Sequence, residues 1–428
     1  MIILTGEGID MYRNIIEDMI EWQEERNRQM LYIKGAVGVG KTWIVKDFAT
    51  AFYRACCYID CSKDFPADAE SLDSLLASRF STAELSDGLI VFDEVQHIPD
   101  AAEFFYDYKK LHKDFHICLI ASNMQITEFE YTHGDCYKLL RLRPMTFEEY
   151  LIANRAGAFI EAIKAGRYEF SKLEAESLER LLADYLMTGG MPGVVSEFIK
   201  NKDYSAIRPL QDEINEENLK LLKNELNDAM YQRCRRVFKS IPKQLSKENK
   251  KFMYKSAEAN ARSREYSEAT QTLCDYGLAR KLPRLSEGKL PLEDYVDYKS
   301  FELFFLDHGL LRASLKLPIS DKITLDELMN ESGGAVAEQY LFTELSSAIG
   351  ILYYWVSGAT ARVPFVYEGS ESPIPIDIRY NKSRHPQNIK VFKDKNPDTT
   401  NFIRVTANEY SENSYEKDVP LYALWSLT

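Results

Sequence analysis

The chain has 428 residues, 45% of them hydrophobic and 28% charged, with 15 Pro and 20 Gly. That length exceeds what one core usually organises, so two or three domains are expected, and the composition excludes long disordered tracts. A formal net charge of −13 opposes nonspecific binding of nucleic acid by the molecule as a whole. The seven Cys show no paired C-x-x-C spacing and read as reduced thiols, not as a zinc site or a disulfide frame. The start lacks a signal-peptide pattern, and no apolar run approaches the ~20 residues of a membrane span, so a cytoplasmic protein with no membrane partner is expected.

Residues 10–29 carry Ile15, Ile16, Met19, Ile20 and Trp22 among charges, the spacing of an amphipathic helix, and lead into the apolar run 30–33. A glycine loop follows. Beyond it the pattern predicts a helix over 41–54, a strand over 56–60, a helix over 69–80, a strand over 89–92, a helix over 101–111 and a strand over 116–121. Strands alternating with helices at this spacing imply a parallel sheet covered on both faces. A further strand is expected over 137–142, after which Arg143-Pro144 turns the chain into a helix over 146–153.

From 170 to 227 the periodicity is mainly helical, broken by a turn at Gly189-Gly190-Met191-Pro192-Gly193, and reads as a helical lid. Residues 228–315 hold helices and then a turn at Gly277 into a short strand. After Gly333-Gly334, a helix over 336–347 and strands over 352–356, 362–367 and 374–380 make a separate α+β or α/β domain. The expected division is a P-loop core at 1–153, a lid at 154–227, a middle segment at 228–315 and a last domain at 316–428.

The stretch Gly35-Ala36-Val37-Gly38-Val39-Gly40-Lys41-Thr42 has the spacing G-x-x-x-x-G-K-T between an apolar strand and a helix. Glycines let successive backbone N–H groups turn inward around phosphates, while the helix N-terminus adds partial positive charge. Gly35, Gly38, Val39, Gly40, Lys41 and Thr42 are therefore the candidate nucleotide contacts, with Lys41 on the β- and γ-phosphates of ATP and the Thr42 hydroxyl on Mg²⁺. The run Leu89-Ile90-Val91-Phe92 delivers Asp93 and Glu94 to a strand end, where open α/β sheets place their ligands. Asp93 would hold Mg²⁺ through water, and Glu94 would orient or deprotonate the attacking water.

The strand over 116–121 ends in Ser122-Asn123. Asn123 is a second catalytic candidate, able to bond the γ-phosphate or the lytic water; the other reading is a residue that ends the strand by bonding its own backbone. His97, two residues beyond Val95, reads either as a residue touching the site or as a loop histidine.

These stretches resemble a prokaryotic group of AAA-related P-loop ATPases with a winged-helix segment and a C-terminal nuclease-like domain. The resemblance is carried by the loop at 35–42, by Phe92-Asp93-Glu94-Val95-Gln96, by Arg143-Pro144-Met145-Thr146-Phe147-Glu148-Glu149-Tyr150 and by Gly189-Gly190-Met191-Pro192. It also includes residues 240–252 and Pro420-Leu421-Tyr422-Ala423-Leu424. It implies an α/β fold with an AAA-like parallel sheet and helical lid, a winged-helix-like middle and a restriction-endonuclease-like last domain.

Two departures follow from the comparison of motifs. Gly134-Asp135 stands where the group has Gly-Arg, so an arginine able to meet a neighbouring subunit's γ-phosphate is missing there; Lys138, Arg141 or Arg143 could substitute. In the last domain the metal-holding pattern would use Glu338, but the expected Asp falls on Pro364 and Glu-x-Lys reads Asp377-Ile378-Arg379, which points to a degenerate nuclease.

Residues 233–265 hold eleven Lys or Arg against three Glu. With the helix that follows, this segment would form a winged helix whose DNA contacts include Lys247, Lys250, Lys251, Arg262 and Arg264. A solvated helix pair, or a basic surface docking on the acidic remainder of the chain, explains the same charge run. The function expected is ATP hydrolysis with Mg²⁺ acting as a conformational switch; the alternatives are a non-hydrolysing nucleotide-dependent scaffold, a DNA-binding regulator and an ATP-driven nuclease.

Overall fold

The computed structural model describes residues 11–25, 29–63, 65–66, 68–123, 131, 133–358, 361–379, 387–407 and 410–427. Residues 10 and 26–28 of the first expected helix, residue 380, and the start on which the leader reading rests lie outside them. The chain divides into two compact units, Met1–Pro144 with Cys274–Leu278, and Met145–Leu273 with Ala279–Thr428. Two units thus stand where the sequence suggests four segments.

The first unit runs α1 Ile15–Glu24, β1 Met30–Lys34, α2 Lys41–Phe52, β2 Cys56–Asp60, α3 Ala69–Arg79, α4 Thr82–Asp87, β3 Leu89–Asp93, α5 Ala101–Leu111, β4 His116–Ala121 and β5 Tyr137–Arg141. All five strands are parallel, in the order β2-β3-β4-β1-β5. β1 and β3 are buried along their whole length, as continuous apolar strands covered on both faces must be, whereas the edge strands β2 and β5 are half-buried. One core cluster packs Leu72 and Leu76 of α3 and Phe105 of α5 against Phe92, whose ring lies 4.6 Å from that of Phe105. The sequence reading omits α4, a six-residue helix whose only strong signal is the Ser81–Glu84 capping box.

The second unit begins with α6 Phe147–Ala153, whose Thr146–Glu149 capping box is written in the sequence as T-x-x-E. There follow α7 Gly157–Lys164, α8 Lys172–Thr188, α9 Pro192–Asn201, α10 Tyr204–Glu225, α11 Asp228–Leu245, α12 Tyr254–Ala257 and α13 Ser263–Asp275. Next come β6 Ala279–Leu285, β7 Val296–Phe305, α14 His308–Ser314, α15 Leu325–Asn330 and α16 Ala335–Ala348. The unit closes with β8 Tyr353–Ser357, β9 Ala361–Glu368, β10 Pro373–Arg379, α17 Gln387–Lys395, β11 Phe402–Thr406, β12 Ser411–Glu412 and β13 Glu416–Pro420.

The turn between α8 and α9 shows why two glycines stand together. Gly189 has φ 74, and a Cβ on Gly190 would lie 2.2 Å from Met145 O. The close approach lets Met145 N donate to Gly190 O at 2.7 Å while Gly190 N donates to Asp307 Oδ2 at 2.7 Å. Pro192 then opens α9 from its first turn.

Eight strands form the second sheet in the order β12-β13-β11-β10-β9-β8-β6-β7. This corrects the boundary expected at 315/316: the β6–β7 pair of the middle segment continues the last sheet, because β6 pairs in parallel with β8 through Arg284↔Tyr354 and Leu285↔Trp355. Beside β7, Lys251 bridges to Glu302 and Phe252 N donates to Phe301 O at 2.8 Å. That pairing turns Lys250 inward, where its Nζ lies 3.0 Å from Glu338 Oε1. Half-buried Arg362 completes a cluster of two cations and two buried anions, 2.7 Å from Glu302 and 2.8 Å from Glu338. Burial opposes ionisation of Glu338, yet Arg362 and Lys250 together hold its carboxylate well below the usual range.

A different buried acid has no cation partner among the described residues. Glu344 on α16 accepts from Phe147 N and Tyr185 OH, each at 3.0 Å, and its Oε2 has no hydrogen-bond partner among the described residues. Burial raises its pKa from 4.5 to about 8, against the two hydrogen bonds and helped by Glu149 and Glu148. The folded state therefore keeps a proton that the unfolded state releases as pH rises past about 4.5, so stability from this group is full below that pH and is lost as pH approaches 8. Glu344→Gln removes this slope. Thermal midpoints at pH 5.5 and pH 8 should show the variant gaining on the wild type as pH rises; a constant difference would refute it.

Candidate nucleotide site

β4 lies between β1 and β3, so the glycine loop and the acidic strand end open from the same edge of the sheet. Gly35 leaves β1 with its N–H donating to Ala121 O at 3.2 Å, and a Cβ there would stand 2.5 Å from Leu142 O. Gly38 and Gly40 take φ 83 and φ 93, conformations that L side chains rarely adopt, and Gly40 caps α2. The loop thus runs directly into the N-terminus of α2.

Lys41 is buried, with Nζ donating to Gly35 O at 3.1 Å and Ala36 O at 2.9 Å. Burial draws its pKa down to about 8 although Glu94 and Asp93 push it up. Arg13, ahead of α1, donates from NH1 to Val39 O at 2.8 Å and from NH2 to Arg143 O. One guanidinium therefore joins the loop to the chain leaving β5.

Asp93 is buried at the end of β3 and accepts on Oδ2 from Thr42 Oγ1 at 2.6 Å and from Tyr58 OH at 2.9 Å. Lys46 lies over the Tyr58 ring, 3.8 Å from its centroid. The hydroxyl and carboxylate that the sequence assigns to Mg²⁺ are thus in contact, a pair of hard oxygen donors suited to that ion with its waters. Glu94, next along, accepts from Ser122 Oγ at 2.8 Å and from Gln96 Nε2. Asn123 Oδ1 is shielded from solvent with no hydrogen-bond partner among the described residues. An acceptor in that state suits a water, since a phosphate oxygen can only accept. His97 is exposed.

Gly35, Gly38, Val39, Gly40, Lys41, Thr42, Asp93, Glu94 and Asn123 therefore all lie on the loop or on the tips of β3 and β4. Sequence reasoning missed Arg13 and Tyr58, which carry no local signal, and left Gln96 without a role although it lies in the quoted acidic motif. Of the cations that could stand in for an arginine at Asp135, Lys138 is held by Glu21 at 3.5 Å and Glu25 at 3.6 Å, while Arg141 is exposed.

The basic segment is less uniform than its composition. Lys247, Arg262 and Arg264 are exposed, Lys251 is half-buried with Nζ 2.9 Å from Ser300 Oγ, and Lys250 is 4% exposed in its pair with Glu338. Lys250 is therefore an internal counter-ion and not part of a surface, a correction that the strand-like pairing beside β7 explains.

Strand order, glycine loop and acidic strand end together define a P-loop NTPase core. Residues 27–151 match the family model described as an AAA domain, and residues 179–321 match a domain of unknown function, DUF8612. No curated protein matches. Among solved structures the chain is similar to the RuvB Holliday junction branch migration motor of Thermotoga maritima, at 12% identity and TM-score 0.34 over 66% of this chain and 94% of that one. It is similar to domain III of the Thermotoga maritima replication initiation protein DnaA, at 16% identity and TM-score 0.24 over 43% and 84%. It is also similar to the Aeropyrum pernix Orc1 protein in complex with DNA, at 10% identity and TM-score 0.33 over 74% and 96%.

The depressed pKa of Lys41 gives a pH test. Below about 8 its ammonium is present in the free site; above that pH the free site loses the charge while bound phosphate would restore it, so binding takes up a proton. ATP affinity measured by calorimetry should be level up to about pH 8 and then fall by up to about tenfold per pH unit. An affinity unchanged to pH 9.5 would contradict the assignment of Lys41 to the phosphates.

Proposed function

We propose that the first unit binds ATP with Mg²⁺ and hydrolyses it, and that the nucleotide state acts as a switch on the remainder of the chain. The observation that carries this reading is the Thr42–Asp93 contact beside the glycine loop, with Glu94 on the adjacent residue. Loop amides and Lys41 would hold the β- and γ-phosphates, Glu94 would orient and deprotonate the attacking water, and Asn123 Oδ1 would accept from that water. Thr42 and Asp93 are the groups that would hold Mg²⁺, which when bound supplies positive charge against the phosphates.

Lys41→Ala should abolish ATP binding and turnover, whereas Glu94→Gln should keep binding and lower kcat by about 10²–10⁴-fold. Equal loss of both properties in Glu94→Gln would count against its role. Single-turnover phosphate release distinguishes the second reading, a non-hydrolysing scaffold, which Asp135 in place of an arginine favours.

For the second unit we propose DNA binding through the exposed basic residues around α11 to α13. The order of three helices followed by the antiparallel β6–β7 pair supports a winged-helix reading. The last sheet is read as a nuclease-like domain without activity, because Glu338 is already neutralised by Lys250 and Arg362 and because Pro364 and Arg379 cannot serve as ligand and base. Replacing Lys247, Arg262 and Arg264 together by Ala should weaken binding to all DNA sequences alike and flatten the dependence of log affinity on log salt by about 0.9 per lost phosphate contact. Absence of wild-type binding at low salt would dispose of the DNA reading.

A further inference from the structure

Glu94 occupies the left-handed backbone region, at φ 59 and ψ 40, and this turns the chain sharply out of β3 into a 3-10 turn over Val95–His97. His97 N closes the turn on Glu94 O at 3.1 Å. The reversal carries Gln96 back over the Glu94 side chain. There Gln96 Nε2 donates to Glu94 Oε2, Gln96 Oε1 accepts from Ser122 N at 3.1 Å, and Ser122 Oγ donates to Glu94 Oε1 at 2.8 Å.

The three residues close a ring that spans the tips of β3 and β4 and engages both carboxylate oxygens. Only one orientation of the Gln96 amide fits. Reversed, its oxygen would face a carboxylate and its NH₂ would face the Ser122 N–H, setting acceptor against acceptor and donor against donor. Each Glu94 oxygen retains a second lone pair, so the ring fixes the direction of the carboxylate without using up its basicity.

We propose that Gln96 is the positioning residue for Glu94, holding the carboxylate in the direction from which it acts on the attacking water. This rests on the hydrolytic reading above. In the step concerned, the water oxygen bonds to the γ-phosphorus as the bond from that phosphorus to the β–γ bridging oxygen breaks. Glu94 takes the water's proton, and ADP leaves with the bridging oxygen's electron pair. Gln96 exchanges no proton; it keeps Glu94 aimed.

Gln96→Met preserves length while removing both hydrogen bonds. It should lower kcat for ATP about 10- to 100-fold, the scale of a misdirected catalytic group, while the Kd for ATP stays within about twofold. That retained Kd also reports that the variant folds; should it not fold, Gln96→Asn, one methylene too short to span the ring, should show the same split. In a Glu94→Gln background, Gln96→Met should cost no further turnover, because its effect passes through the Glu94 carboxylate. An unchanged kcat, or an equal loss in the Glu94→Gln background, overturns the proposal while leaving the hydrolytic reading intact. A wild type that binds ATP without turnover overturns both.

Discussion

The carbonyl groups of the glycine loop need partners, and the first unit is arranged around that constraint. Two of the carbonyls, on Gly35 and Ala36, are served by Lys41, and a third, on Val39, by the Arg13 guanidinium. The strands on either side of β1 take part as well. Ala121 O at the tip of β4 accepts from Gly35, and Leu142, just past β5, donates to Lys34 O. Each partner comes from a different stretch of chain, so the loop's shape depends on the whole sheet edge being assembled. The same arrangement leaves Lys41 doubly employed: the amine that caps the loop's own carbonyls is the one assigned to the phosphates.

The second unit handles buried polarity in three ways. Around Glu338 and Glu302, charge is matched by charge, with Lys250 and Arg362 supplying cations from segments far apart in sequence. Around Glu344 no cation stands among the described residues, and the acid is instead pushed toward its neutral form. Asp307 takes a third route. It is fully buried and accepts from the backbone N–H groups of Gly190 and Leu310, tying the turn after α8 to the start of α14.

The core sheet was legible because each of its signals is local. Continuous apolar runs mark β1, β3 and β4, and the glycine loop and Asp93-Glu94 sit at strand ends that the helix–strand alternation locates. What escaped the sequence depends on partners distant in the chain. Arg13 acts through Val39 and Arg143, and Tyr58 through Asp93. Lys250 reads as one more surface cation because its neighbours are charged; only the pairing of residues 251 and 252 with β7 turns it inward. β7 carries no continuous strand signal, since its outer half holds Asp297, Tyr298 and Lys299 and only its inner half is continuously buried. The wing and the last domain looked separable because nothing local to β6 announces a partner some seventy residues downstream.

That partnership bears on how the chain can be made. β6 leaves the ribosome well before β8, and until β8 is synthesised one edge of the β6–β7 hairpin has no strand to pair with. Glu302 on β7 likewise waits for Arg362 on β9, so a carboxylate destined for the interior is without its counter-ion during that interval. The hairpin is therefore a late-maturing element despite its early position, and a polypeptide ending between α15 and β8 would present an open strand edge to other chains.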